Sequence, residues 1–184
     1  EIVAQTNDCS PQIIILGPDF VTMREPLLAD ANGKVRDMIY SGAGAPPAGC
    51  HDYEQLVLDH RPAEDAGRNG DDLACILYTS GTTNAAKGVM LSHGAILCNA
   101  MGAFDLLHRT YGLSHEIFLS FLPLSHSYEH SAGLFFPLSI GAEIYYAEGA
   151  DKLVTNLSEV RPTIMTAVPR LYETMYQRIL QSVL

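Results

Sequence analysis

Between Leu77 and His93 the chain reads LYTSGTTNAAKGVMLSH, in which glycines and hydroxyl residues surround one lysine between two apolar runs. Thr79, Ser80, Thr82 and Thr83 offer hydroxyls, Gly81 lets backbone N–H groups turn inward, and Lys87 brings an ammonium. Such a concavity favours anions, and a lysine beside it neutralises polyphosphate charge. A serine or threonine oxygen can also join the shell of a magnesium ion that bridges phosphates. The same residue types equally make a polar turn between two strands, because Gly, Ser and Thr are ordinary turn formers.

Counting removes the P-loop. From Gly81, the pattern GxxxxGK followed by Ser or Thr requires glycine where Ala86 stands and a hydroxyl where Gly88 stands. The residues after Lys87 are β-prone, whereas a P-loop opens a helix. A second motif, HSYEH from His126 to His130, fits the HxxEH pattern of zinc hydrolases. On a helix its histidines lie one turn apart, with Glu129 beside them as a base. The natural third ligand, Glu159, falls in a separate helix with no accompanying motif, so a chance match to a short pattern is the better account. GxSxG occurs nowhere, and no serine is presented as a nucleophile.

The elements that must position these residues follow from periodicity. QIIILG and KVRDMIYSG read as strands, AGAPPAG as a loop and HDYEQLVLDH as a short helix. After the charged loop AEDAGRNGDD, the continuous apolar run LACILYTS reads as a central strand buried on both faces. From KGVML onward the order is βαβαβαβα. Ser92 is a plausible N-cap for the helix HGAILCNAMGAFDLLHRT, apolar nearly all round and so expected to be covered on most sides. Then come strand EIFLSFLPL, stopped by Pro123, helix SYEHSAGLFFPLSIG, strand AEIYYAE and helix ADKLVTNLSEV. Strand PTIMTAV and a helix opened by Pro169 finish the pattern. Met90, Met101, Met165 and Met175 are expected in the core. Alternating units call for an α/β fold with a mainly parallel sheet flanked by helices, in which ligands bind at the carboxyl ends of strands. The loop after LACILY is at such an end.

The 184 residues, 47% hydrophobic, suffice for one ordinary core or most of a larger one. A formal net charge of -10 without any Lys/Arg cluster argues against nucleic acid as a partner. No run of 18 apolar residues and no signal-peptide pattern occurs, so no transmembrane segment and a cytoplasmic placement are expected. Cys9, Cys50, Cys75 and Cys98 form no CxxC pair and read as buried, reduced thiols. Absence of an initiator methionine and an apolar helical ending give the expectation that a parent chain continues beyond both ends.

YTSGTTNAAKGVMLSH closely resembles the phosphate-loop signature of the AMP-forming acyl-CoA synthetases and their adenylate-forming relatives, usually YTSGTTGxPKGVxxSH. FLPLSHSYEH resembles the family's next motif, a Leu-Pro-Leu strand end followed by a histidine, here His126. RPTIMTAVPRLYETMYQRI resembles the strand and helix that follow in the long-chain fatty acid CoA ligase branch, so the likeness spans residues 73 to 180. It implies a partial N-terminal domain, with residues 1–70 as an α/β segment and residues 71–184 as an AMP-binding subdomain. The implied reaction joins a fatty carboxylate to AMP with loss of pyrophosphate and then passes the acyl group to coenzyme A. ATP, Mg²⁺ and coenzyme A are the implied cofactors and co-substrates.

By this resemblance Thr79, Ser80, Gly81, Thr82, Thr83, Asn84, Lys87 and Gly88 would hold the nucleotide and departing pyrophosphate, with Thr79 toward Mg²⁺. Lys87 and His126 would be catalytic, and His126, Tyr128 and Glu129 would line the acyl tunnel. Peripheral contact of the parent with the inner face of a membrane, and a homodimer, are left open. Two positions depart from the pattern: Asn84 stands for the usual glycine and Ala86 for the usual proline. Asparagine tolerates a positive φ at about 1 kcal/mol, and losing proline raises the ordering entropy by roughly 0.4–1 kcal/mol. Neither change removes a hydroxyl or the lysine. The family's later nucleotide motifs, hinge and C-terminal lysine are not among these residues, so the chain alone is expected to lack turnover. The alternative is a non-catalytic α/β piece of an inactive homologue.

Overall fold

The computed structural model describes residues 1–30, 33–59, 61–79 and 86–183. They fall into two units, one from Glu1–Arg68 with Tyr78–Val89, the other from Asn69–Leu77 with Met90–Leu184.

In the first unit helix α1 (Ile2–Cys9) precedes strand β1 (Ile13–Leu16), and a 3₁₀ segment (Pro18–Met23) runs into α2 (Arg24–Asp30). Strands β2 (Asp37–Tyr40) and β3 (His51–Asp52) and helix α3 (Tyr53–Asp59) follow. The three strands pair in parallel, Ile14 opposite Met38 and Leu16 opposite Tyr40. Leu16 and Met38 meet Leu27 of α2 in a core that Val3, Ile14, Met23 and Val35 surround. Burying each such side chain stabilises by about 1.5–3 kcal/mol. Helices α1 and α2 are additions to the sequence reading. Ile2, Val3 and Thr6 are β-branched and disguise the helical period of α1, which ends at a left-handed Ser10 with φ 48°.

Strands β4 (Leu73–Thr79) and β5 (Lys87–Ser92) form a pair. Contrary to the expectation from its apolar run, β4 is not enclosed on both faces, since Leu77 is its one buried residue.

In the second unit the alternating order holds. Helix α4 (His93–Tyr111) leads to β6 (Ile117–Ser120), and a helical stretch follows: α5 (Ser127–Glu129), a widened π turn (His130–Phe135) and α6 (Phe136–Ser139). Strand β7 (Glu143–Tyr146), helix α7 (Leu153–Val160), strand β8 (Ile164–Met165) and helix α8 (Pro169–Val183) complete it. The sheet order is β7-β6-β8, with both pairings parallel. The fold is thus α/β with parallel strands and flanking helices, the strands among the described residues being divided among three small sheets.

Phe118 and Leu119 of β6 are 1% exposed, and the Phe118 ring meets Phe136 edge-on with centroids 5.8 Å apart. Such aromatic pairs favour this edge-to-face arrangement. The amino end of α4 is fully capped. Ser92 Oγ accepts from the Ala95 N–H at 3.2 Å, while the N–H groups of His93 and Gly94 donate to the carbonyls of Asp72 and Gly70 at 3.1 and 2.7 Å. These bonds satisfy N–H groups that have no partner within the helix. A Cβ on Gly94 would stand 2.9 Å from the Gly70 carbonyl oxygen.

Three expectations are corrected. Helix α4 buries Ile96 and Ala100 but leaves Leu97, Leu106 and Tyr111 exposed, so it is not covered on most sides. Met90 and Met101 are exposed rather than in the core, and Met165 and Met175 are only partly buried. All four cysteines are free, but Cys9 and Cys98 are exposed and Cys50 and Cys75 half-buried. Hydropathy records what a side chain avoids, not whether these residues supply its cover. Among the described residues no helix is long and apolar enough to cross a membrane.

Glu116, at the amino end of β6, accepts from the Ser114 N–H at 2.9 Å and from Thr163 Oγ1 at 2.5 Å. These two donors, the backbone one foremost, hold its carboxyl below its ordinary value. A folded-state value below the unfolded one stabilises at pH above the unfolded value, and that contribution fades as pH falls through the carboxylate range. Glu116→Gln should therefore lower stability by about 1 kcal/mol at neutral pH. Urea midpoints of variant and parent should converge as the pH is lowered below the ordinary glutamate value.

Candidate functional site

Strand β4 delivers Thr79 to its carboxyl end, where the residue is exposed. Ser80, Gly81, Thr82, Thr83 and Asn84 lie outside the described residues. Lys87 and Gly88 open β5, and both are exposed. Just before Thr79, the Tyr78 hydroxyl donates to the Asp8 carboxylate at 2.6 Å, which ties the strand end to α1. That hydrogen bond is the main reason the phenol is pushed well above its ordinary value.

In the second unit the HSYEH segment turns off the carboxyl end of β6. The His126 N–H donates to the Pro123 carbonyl at 2.8 Å. Its Nδ1 accepts from the Tyr128 N–H at 3.2 Å, so His126 is the N-cap of α5. Both His126 and Tyr128 are exposed. Glu129 is 0% exposed. Its Oε1 accepts from Ser120 Oγ at 2.7 Å and its Oε2 accepts from Thr166 Oγ1. A carbonyl only accepts, so His130 Nδ1 donates to Leu124 O at 3.2 Å; its Nε2 lies 3.4 Å from Cys75 Sγ. The His130 ring also meets Phe135 edge-on with centroids 4.9 Å apart. Burial pushes the Cys75 thiol up.

His126, Tyr128 and Glu129 thus share one turn but divide its faces: two are open to solvent and the third points inward. Asp8, Cys75, Ser120 and Thr166 carried no motif that could have singled them out. Only a polar residue closing an apolar strand, as Ser120 does, was a signal. As a zinc site the turn is poorly set, because Glu129 is occupied by two hydroxyls and His130 by Leu124 and Cys75. Among the described residues no group of three His, Cys, Asp or Glu could hold a metal ion. The exposed Thr79 hydroxyl is the type of oxygen donor that magnesium takes.

Residues 1–182 match the family of AMP-binding enzymes, and the chain belongs to that family. Peroxisomal long chain acyl-CoA synthetase 6 of Arabidopsis thaliana is 37% identical over 117 residues, which cover 61% of this chain and 16% of that protein. Long-chain-fatty-acid–CoA ligase ACSBG2 of Mus musculus is 38% identical over 121 residues, 63% of this chain and 18% of that one. The matched segments therefore make up less than a fifth of the length of these relatives. Among solved structures, the anthranilate CoA ligase AuaEII in complex with anthranoyl-AMP superposes with a TM-score of 0.81 at 21% identity. The match covers 94% of this chain and 33% of that one. ATP-bound MatB from Rhodopseudomonas palustris gives a TM-score of 0.77 at 25% identity over 96% and 33% of the two chains.

With Glu129 and His130 engaged in this way, elemental analysis of the purified protein should find zinc far below one ion per chain. Stoichiometric zinc that survives dialysis would restore the hydrolase reading.

Proposed function

We propose that this chain is part of an ATP-dependent long-chain fatty acid CoA ligase, and that its segment 77–93 grips the pyrophosphate side of the nucleotide. The supporting observation is a chain that belongs to the AMP-binding enzymes and keeps every loop hydroxyl and the lysine. In the first half-reaction a carboxylate oxygen attacks the α-phosphorus and the bond to the pyrophosphate oxygen breaks. In the second, the thiol of coenzyme A attacks the acyl carbon and AMP leaves. The protein's work in the first step is to align the groups and to stabilise charge on the departing pyrophosphate, because neither step needs a side-chain nucleophile.

Thr79, Ser80, Thr82 and Thr83 would offer hydroxyls and Gly81, Asn84 and Gly88 backbone N–H groups to phosphate oxygens, and Lys87 would neutralise the leaving group. The Thr79 hydroxyl would help hold Mg²⁺, which when bound would offset polyphosphate charge. His126 and Tyr128 face the acyl substrate from the exposed side of their turn, and Glu129 holds that turn from within. A long-chain substrate is favoured by the long-chain relatives, which are 34–38% identical over their matched segments. Such a substrate goes with a cytoplasmic protein in peripheral contact with a membrane, although two relatives are named as peroxisomal. The competing reading, an inactive homologue, rests on Asn84 and Ala86.

In the complete gene product, Lys87→Ala should slow pyrophosphate release in the presence of ATP and a fatty acid by about 10²-fold. A change below about twofold would remove the lysine from the chemistry. Assaying short, medium and long fatty acids against parent protein separates the readings: a maximum at long chains supports the proposal, and no acyl-CoA with any acid supports the inactive homologue.

A further inference from the structure

The carboxylate of Glu129 has no exposed surface, yet it sits three residues from exposed His126. Its two oxygens are taken by hydroxyls at the ends of different strands. Ser120 is the last residue of β6, and Thr166 directly follows β8, so the carboxylate bridges the carboxyl ends of two neighbouring parallel strands. Buried polar groups bonded on every side have few alternative arrangements and fix one geometry. The helical stretch is shaped to let this happen. Gly133 lies one turn beyond Glu129, and a Cβ there would run into the Glu129 carboxylate. The stretch from His130 to Phe135 is the widened turn, a feature that recurs at functional sites.

The other end of the turn is pinned as well. His126 is bonded to Pro123 through its backbone and to Tyr128 through its ring, and His130 is bonded to Leu124. The loop from Pro123 to His130 therefore has its local geometry set by its own bonds, and its attachment to the sheet set by Glu129. A rigid attachment matters for a side chain that must meet a substrate, because a misplacement of about 1 Å can cost 10²-fold in rate.

We infer that Glu129 is a positioning residue for His126, with Gly133 making room for its carboxylate and the hydroxyls of Ser120 and Thr166 holding it. The inference rests on the proposal that His126 faces the acyl substrate, and the test keeps the two apart. In the complete gene product, His126→Ala, Glu129→Gln and the double variant are assayed for pyrophosphate release with ATP and a fatty acid. Each single change should lower kcat about tenfold with KM for ATP within about twofold. The double variant should be no slower than His126→Ala alone, since Glu129 acts through a group already removed. Multiplying effects would overturn the inference.

Ring resonances of His126 give the second readout. Glu129→Gln should shift or broaden them while those of His115, beyond the opposite end of β6, stay in place. Movement of both, or of neither, refutes a positioning role. If His126→Ala leaves the rate unchanged, His126 has no part in the reaction and the functional reading of that residue fails, while the resonances still decide whether Glu129 sets its geometry. Should Glu129→Gln not fold, Thr166→Val removes one of the two donors at nearly constant shape and carries the same cycle.

Discussion

Strand β6 has a parallel neighbour on each side, and a strand so enclosed must be apolar in the middle and provide partners for any polar group at its ends. Both ends are closed in the same manner. At the amino end Glu116 takes the hydroxyl of Thr163, and at the carboxyl end Glu129 takes those of Ser120 and Thr166. Thr163 and Thr166 flank the two residues of β8, Ile164 and Met165. A strand that short offers little ladder of its own, so the two carboxylates fasten it to β6 at either end. Between them, Phe118 and Leu119 exclude water and make those hydrogen bonds stronger than they would be at a surface.

The same arrangement decides which way the helical stretch after β6 must go. With its glutamate drawn inward, the stretch presents His126 and Tyr128 outward at the strand ends, where ligands meet α/β sheets. The fastening and the exposed pair are therefore two faces of one turn. At the other candidate segment the anchoring is different: there a tyrosine hydroxyl on an exterior carboxylate holds the end of β4 just before Thr79.

The alternation from KGVML to the last helix was legible because each element is long enough to show its period and is bounded by proline, glycine or a capping serine. The family was legible too, from three short segments whose order and spacing chance does not reproduce. Other features were hidden for physical reasons. Helix α1 has β-branched residues at Ile2, Val3 and Thr6, which read as strand or turn. The burial of Glu129 could not be seen, because its partners lie 9 and 37 residues away in sequence. The open faces of α4 were misread because a helix that is apolar all round says only that something covers it, not what does. The segment from Leu77 to His93 was legible in composition and order as a candidate phosphate grip. The parts each residue plays there remain a proposal from chemistry.

Where α4 begins, Gly70 and Gly94 face each other, but they are not alike. A methyl on Gly70 would rest in ordinary contact at 3.7 Å from the Gly94 Cα, whereas one on Gly94 would press on a backbone oxygen that cannot turn aside. Drift in the sequence is thus free to replace the first glycine with a small residue and is barred from replacing the second. Of two glycines that look equivalent on the page, one is a convenience of the loop and the other a fixed point of the fold.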